Sequence, residues 1–350
     1  MNKFDIPTPA LTLDLDRFER NLHRMAREVA AADRDLRPHV KAHKCVEVAR
    51  RQLEAGARGL CVATVPEAEA MARAGHTGIL LTGPLGDPAK IKRIVHTGAA
   101  AVVDHIQQAR WYSEAADAAQ RQMDLFIDLD IGDHRTGTSS AEQALEIARF
   151  ISGTQHLRLR GLQAYSVSGS HGADRAARTQ ISRDTFNRAR EVRSVLRKDG
   201  HECKTLTGGS TGTWDIDLAM DALTELQAGS YVFMDLAYRK IGIDYENALA
   251  VQATVISANH ADFVTVDAGF KAFSTDRPFG PEPINLPGAG YRWGGDEFGY
   301  VDLVDCAIKP KLGDRIEFIP PHCDPTVNLY ARIYTCRGEN VEAIWQTIAR

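Results

Sequence analysis

Eight short apolar runs alternate with segments of helical spacing between about Leu36 and Asp235, and this rhythm constrains the fold more than any other feature. The runs are LRPHV (36–40), GLCVATV (59–65), GILLTG (78–83), AAVVDH (100–105), DLFIDLDIG (124–132), LRGLQAYSV (159–167), CKTLTGG (203–209) and ELQAGSYVF (225–233). Val, Ile, Leu and Thr dominate them, as in strands buried on both faces. Several intervening helices end at Gly, where a left-handed cap is needed. Eight such alternations are the count of a (β/α)8 TIM-type barrel. An open doubly wound sheet would need a phosphate loop after an early strand, and none is visible.

After Asp235 the texture changes. ALAVQATVIS, DFVTVDAGF, DRIEFIP and LYARIYTCRG alternate apolar and polar residues and are separated by Gly/Pro-rich loops such as RPFGPEPINLPGAG. That pattern predicts an antiparallel β domain. PALTLDLDRF near the N-terminus is also strand-like. The expected organisation is therefore an N-terminal strand in residues 1–20 that joins the β domain, a barrel in 21–240, and the β domain in 241–350.

Composition narrows the partners. The 350 residues carry 42 Lys+Arg against 46 Asp+Glu, a net charge of −4, with no long run of one sign. A nucleic-acid surface is not expected. No apolar stretch approaches the roughly 18–20 residues that cross a bilayer. The first residues lack the basic and apolar regions of a secretion signal. Six scattered cysteines, with no C-x-x-C pair, read as reduced thiols, so the expected location is cytoplasmic.

In a barrel the chemistry gathers at the C-terminal ends of the strands. The first run leads into Lys41. Burial among cations would lower the pKa of such a lysine and make it an amine nucleophile able to form a Schiff base. A surface lysine at a strand end is the plain alternative. His39 and His43 flank it as orienting groups or ordinary polar residues. After the seventh run come Ser210, Thr211, Gly212 and Thr213, and the eighth ends at Gly229, Ser230 and Tyr231. Hydroxyls and closely approaching backbone amides at these two places suit a phosphate. Arg135 follows the fifth run and could neutralise a phenolate or carboxylate. Tyr165 ends the sixth and could meet a ring nitrogen, and His171 follows it as a residue able to take a proton at neutral pH. In the β domain, His322 and Asp324 are two residues apart. On an extended segment both would face one divalent metal while Cys323 faced away.

The blocks R-P-H-V-K-A-H-K, R-T-G, L-Q-A-Y, G-G-S-T-G-T, A-G-S-Y-V-F-M-D and H-C-D-P-T-V-N-L-Y occur in this order. Together they resemble the D-threonine aldolase and D-serine dehydratase family, over about Thr8 to Tyr334. The resemblance implies the alanine racemase-type fold, with pyridoxal 5′-phosphate (PLP) and a divalent metal as cofactors. It makes Lys41 the Schiff-base lysine and sets Arg135 near the cofactor ring and Tyr165 by the pyridine nitrogen. The phosphate falls against Ser210, Thr211, Gly212, Thr213, Gly229, Ser230 and Tyr231. His322 and Asp324 match the metal ligands, and His171 matches a histidine acting near the substrate β-hydroxyl.

The chain departs from the family pattern in two loops. It reads Ser166-Val167-Ser168-Gly169-Ser170-His171 where the family has H-G-x-x-Q-H, and Phe298 where the family often has His. The substrate side chain can therefore differ from that of D-threonine. The resemblance implies an aldolase that cleaves small D-3-hydroxy amino acids to glycine and an aldehyde. The alternative is a dehydratase that releases a keto acid and ammonia. Within the family, Cys at the second ligand position goes with zinc dehydratases and Asp with aldolases. Asp324 thus favours the aldolase, and Mg²⁺ or Mn²⁺ over Zn²⁺. A non-catalytic PLP carrier would not need the β domain or H-C-D. A homodimer with active sites near its interface is also implied.

Overall fold

The structure, a computed structural model, describes Met1–Ala349. Two compact units share the chain. One comprises Met1–Arg24, Ala42–Glu47 and Ser230–Ala349; the other comprises Met25–Lys41 and Val48–Gly229. The chain opens with strand β1 (Ala10–Asp14) and helix α1 (Leu15–Ala31).

The second unit is the expected barrel. Its strands are β2 (Asp35–Leu36), β3 (Leu60–Val62), β4 (Ile79–Leu81), β5 (Ala100–Val103), β6 (Met123–Asp128), β7 (Leu157–Ala164), β8 (Thr205–Gly208) and β9 (Glu225–Leu226). All pair in parallel, in the order β2-β9-β8-β7-β6-β5-β4-β3. The remaining seam, between β2 and β3, is joined by a bridge between His39 and Cys61, where the Cys61 amide donates to the Pro38 carbonyl at 2.9 Å. β2 is shorter than its sequence run because Pro38 has no N–H to donate. The chain turns at Val40–Ala42 instead. Cys61, Leu80, Val102 and Phe126 pack as a core cluster of this unit.

Its helices are α2 (Val46–Glu54), α3 (Val65–Arg73), α4 (Pro88–Thr97), α5 (Ile106–Ala119), α6 (Ala141–Ser152), the single turn α7 (Val167–Ser170), α8 (Arg175–Lys198) and the short α9 (Trp214–Leu218). Local sequence starts and stops them. Thr64, Asp87 and Ser140 cap exposed amides of α3, α4 and α6, and Pro sits in the first turn of α3 and α4. Gly98 ends α4 at φ 73°, a conformation that suits a residue without Cβ.

An ion pair is buried in this unit. Arg37 Nε and Nη2 donate to the two Glu225 oxygens at 2.7 and 2.8 Å, and both side chains are nearly inaccessible. Removing one partner strands the other charge. We expect Glu225→Gln to lower unfolding stability by about 3 kcal/mol, read from urea denaturation. Unchanged stability would show that the pair contributes nothing.

The other unit is a nine-stranded sheet. Its later strands are β10 (Leu249–Ser257), β11 (Phe263–Val266), β12 (Glu282–Pro283), β13 (Gly290–Trp293), β14 (Gly299–Asp302), β15 (Arg315–Ile319), β16 (Arg332–Arg337) and β17 (Asn340–Gln346). β1 pairs antiparallel with β10 and parallel with β16. The short helices α10 (Leu236–Lys240) and α11 (Cys323–Val327) belong here too. The changeover falls at Gly229/Ser230, earlier than residue 240. The Phe233 carbonyl accepts from the Ala248 and Leu249 amides, and the Leu236 and Ala237 amides donate to Pro320 and Pro321. These bonds hold Ser230–Lys240 in the sheet unit. Among the described residues no helix is long and apolar enough to cross a membrane.

Candidate active site

The C-terminal ends of the barrel strands enclose a cavity of about 180 Å³ lined by Lys41, Arg135, Tyr165, Thr82, Gln163 and Gln227, among others. Four residues singled out from the sequence meet here, Lys41, Arg135, Tyr165 and His39. Lys41 Nζ lies 5.5 Å from the centre of the Tyr165 ring, and the Arg135 guanidinium carbon lies 5.1 Å from it.

Each is positioned by local structure. Lys41 sits in the turn after β2, and its amide donates to His39 Nδ1 at 3.4 Å. His39 Nδ1 therefore carries no proton, and Nε2–H donates to Thr82 Oγ1 at 3.0 Å. Thr82 in turn donates to the Val62 carbonyl. His39 thus orients the lysine turn, whereas His43 is fully buried against Phe233 and accepts from the Cys45 amide. Arg135 rides on the loop after β6. Asp130 shapes that loop by accepting from the Gly132 and His134 amides at 2.9 and 3.0 Å. The loop closes at Gly137, whose φ is 105° and where a Cβ would stand 2.1 Å from the Asp130 nitrogen. Only glycine fits there.

The floor of the cavity is a polar network that motif reading overlooked. Gln163 Nε2 donates to the Thr82 carbonyl at 2.9 Å and to Asp128 Oδ1 at 2.8 Å. Gln227 Nε2 donates to Gln163 Oε1 and to Thr207 Oγ1. Thr136 donates to the other Asp128 oxygen at 2.8 Å. Burial pushes the Asp128 carboxyl up to about 6, against the two hydrogen bonds that favour its charge. The available signal was a glutamine twice set in an apolar run, L-Q-A at 162–164 and again at 226–228.

His171 follows α7 and is not among the residues lining this cavity. Its turn is tied to the site through Ser170, which donates to the Tyr165 hydroxyl at 3.2 Å. Arg178 of α8, almost fully buried, donates to the Gly172 and Ala173 carbonyls just beyond it.

The loop Ser210–Thr213 is buried and packed against α9. Ser210 Oγ and Thr213 Oγ1 lie 2.9 Å apart. A Cβ on Gly208 would stand 1.9 Å from the Ala164 carbonyl oxygen, so the backbone approach here requires glycine. Gly229 ends the barrel unit. Ser230 directs its hydroxyl to Asp324 Oδ1 at 2.9 Å, and Tyr231 is fully buried with its ring edge-on to Tyr245.

His322 and Asp324 lie in the sheet unit. His322 precedes α11 in an extended conformation, and its Nδ1 is 2.7 Å from Asp276 Oδ2, a carboxylate that orients the ring. Burial works against its positive charge, but Asp276, Asp324 and Asp235 outweigh it and raise the pKa. Cys323 differs from expectation. Residues 323–327 turn helically instead of staying extended, so the thiol does not face away from Asp324: its sulfur donates to Asp324 Oδ1 at 3.2 Å. Burial pushes that thiol well above its ordinary range. Asp235, fully buried, accepts from the Cys323 amide at 2.8 Å and fixes the segment. Among the described residues no group of three or more His, Cys, Asp or Glu side chains forms a metal cage. Were His322 and Asp324 to hold a cation, positions would remain for water and a substrate oxygen.

These donors fit both implied cofactors. The amine, guanidinium and phenol around the cavity, with a hydroxyl-rich loop after β8, suit a phosphorylated aromatic aldehyde. The Asp276-bound imidazole and neighbouring carboxylate suit a divalent cation.

The family model for the alanine racemase N-terminal domain matches residues 13–237, and that for a putative serine dehydratase domain matches residues 248–336. A D-threonine aldolase from Arthrobacter sp. is 38% identical over 99% of this chain and 93% of its own. A D-threo-3-hydroxyaspartate dehydratase from Delftia sp. is 31% identical over 98% of this chain and 97% of its own. The crystal structure of D-threonine aldolase from Filomicrobium marinum superposes with a TM-score of 0.95 at 34% identity, covering 99% of this chain and 96% of that one. A parallel eight-stranded barrel, an antiparallel sheet unit and matches spanning nearly all of the chain lead to one assignment: it belongs to the D-threonine aldolase and D-serine dehydratase family of lyases with the alanine racemase fold.

Proposed function

We propose that this protein is a PLP- and divalent metal-dependent aldolase that cleaves the Cα–Cβ bond of small D-3-hydroxy amino acids to glycine and an aldehyde. The observation that carries the reading is the meeting of Lys41, Arg135 and Tyr165 around one cavity at the mouth of the barrel. Lys41 supplies the amine that holds the cofactor and yields its place to the substrate amine. Tyr165 and Arg135 orient the ring. Ser210, Thr211, Gly212, Thr213 and Gly229 hold the phosphate, with Ser230 and Tyr231 continuing that segment. When bound, PLP supplies an electron sink for the pair released from the broken bond. His322 and Asp324 hold the metal, whose chemistry is to acidify the substrate β-hydroxyl. His171 takes that proton. Asp324, a hard carboxylate ligand, favours Mg²⁺ or Mn²⁺ over Zn²⁺. We further propose a cytoplasmic homodimer with its active sites near the interface.

The test is product analysis of the purified, metal-loaded protein with D-threonine and D-3-hydroxyaspartate. The expected products are glycine and an aldehyde. Ammonia and a keto acid would replace this reading with the dehydratase, an activity named for the Delftia relative.

A further inference from the structure

We propose that Asp217 holds the proton of the phosphate loop: it takes up one proton as a phosphate dianion seats against Ser210–Thr213, and thereby releases hydroxyl protons to that phosphate. The inference rests on the reading of this loop as the cofactor's phosphate site. Asp217 is only 1% exposed, on α9. Its carboxylate accepts the Thr213 hydroxyl. The Ser210 amide and the Ser182 hydroxyl favour its charge as well. A Cβ on Gly209 would stand 2.7 Å from Asp217 Oδ2, so the carboxylate lies directly against the loop backbone.

The proton count decides the matter. A hydroxyl has one proton to give. While Asp217 is charged, Thr213 spends its proton on the carboxylate, and Ser210, 2.9 Å from Thr213 Oγ1, donates to Thr213. Both protons then run inward, and neither hydroxyl donates to an anion outside. When Asp217 is protonated, it donates to Thr213, the chain reverses, and a hydroxyl proton turns outward. Charge acts in the same direction, since a buried carboxylate behind a dianion is repelled by it.

Among the described residues no cation pairs with Asp217 to relieve that repulsion. From α9 itself the neighbouring charge is Asp215, which is paired with Arg175 of α8 at 2.6 Å. From α8 comes the Ser182 hydroxyl, and Arg178 of the same helix turns its guanidinium to the Gly172 and Ala173 carbonyls. From β9 comes the apolar Leu226, which flanks Gly209 beside Asp217, while the charged Glu225 of that strand is held by Arg37. Burial already pushes its carboxyl up to about 7 without a phosphate present.

Isothermal titration of the full-length apoprotein with PLP, in two buffers of different ionisation enthalpy near about pH 8, measures protons bound per cofactor. Pyridoxal, which lacks the phosphate, gives the contribution of the ring end. Wild type is expected to take up about one more proton with PLP than the isosteric Asp217→Asn, whose amide donates to Thr213 at every pH. The ratio of wild-type to Asp217→Asn affinity for PLP is expected to fall up to about tenfold per pH unit above about 7, because the titrations at the ring end are common to both and cancel. Thr213→Val breaks the relay and is expected to remove the extra proton, which keeps the test open if the Asn variant does not fold. Equal proton uptake in wild type and variants, with PLP still bound more tightly than pyridoxal, overturns this inference alone. PLP bound no more tightly than pyridoxal overturns the phosphate site and this inference with it.

Discussion

Replacement of Lys41 by alanine is expected to give a folded, colourless protein with kcat reduced at least about 10³-fold, because this side chain supplies the amine that holds the cofactor. Lys41 is only partly buried and sits in a short turn, so its loss opens no core cavity. Lys41→Arg is expected to fail equally, since a guanidinium is not deprotonated and cannot act as an amine. Visible absorbance and activity are measured together on the purified variants. Borohydride reduction followed by peptide mapping should place the cofactor mass on the Lys41 peptide in wild type. Retention of that mass on another lysine in Lys41→Ala would end the assignment.

Asp324→Ala is expected to lower kcat by about 10²-fold or more while leaving the yellow colour intact. A bound divalent ion contributes several kcal/mol at a developing alkoxide, and each 1.4 kcal/mol is tenfold in rate. EDTA should have the same effect on wild type, reversed by Mg²⁺ or Mn²⁺. Asp324 receives the Ser230 hydroxyl and the Cys323 thiol, and its charge bears on His322 and Asp235. Full activity in metal-stripped wild type would remove the metal from the mechanism. If Asp324→Ala lost its colour as well, the residue would be acting on cofactor binding instead.

Much of this was legible in the sequence because it is local. The barrel follows from eight repeats of one short pattern, and the glycines at 137, 208 and 209 mark places where backbone meets backbone or a side chain. Lys41, Arg135 and Tyr165 could be picked out because each follows the C-terminal end of a strand, and parallel strands carry those ends to one face. The supporting residues were not legible in that way. Gln163, Gln227 and Asp128 read as polar interruptions of apolar strands, and only their mutual distances make them a network. Asp217 and Asp276 stand in no motif, and they matter because folding sets them against Thr213 and His322.

H-C-D gives the clearest division. The sequence by itself determined the residue types available there, an imidazole and a carboxylate two residues apart, and so the class of ion they can hold. It also determined the barrel, because hydrophobic periodicity and capping are read within a few residues of chain. The directions of the side chains were decided only by tertiary structure. Asp235, buried far away in the sequence, draws the Cys323 amide into a helical turn and swings its thiol onto Asp324. Alternation along an extended strand predicted the opposite. The physical reason is that a buried carboxylate must find donors wherever the fold supplies them, and those donors come from sequence-distant segments that no local pattern connects.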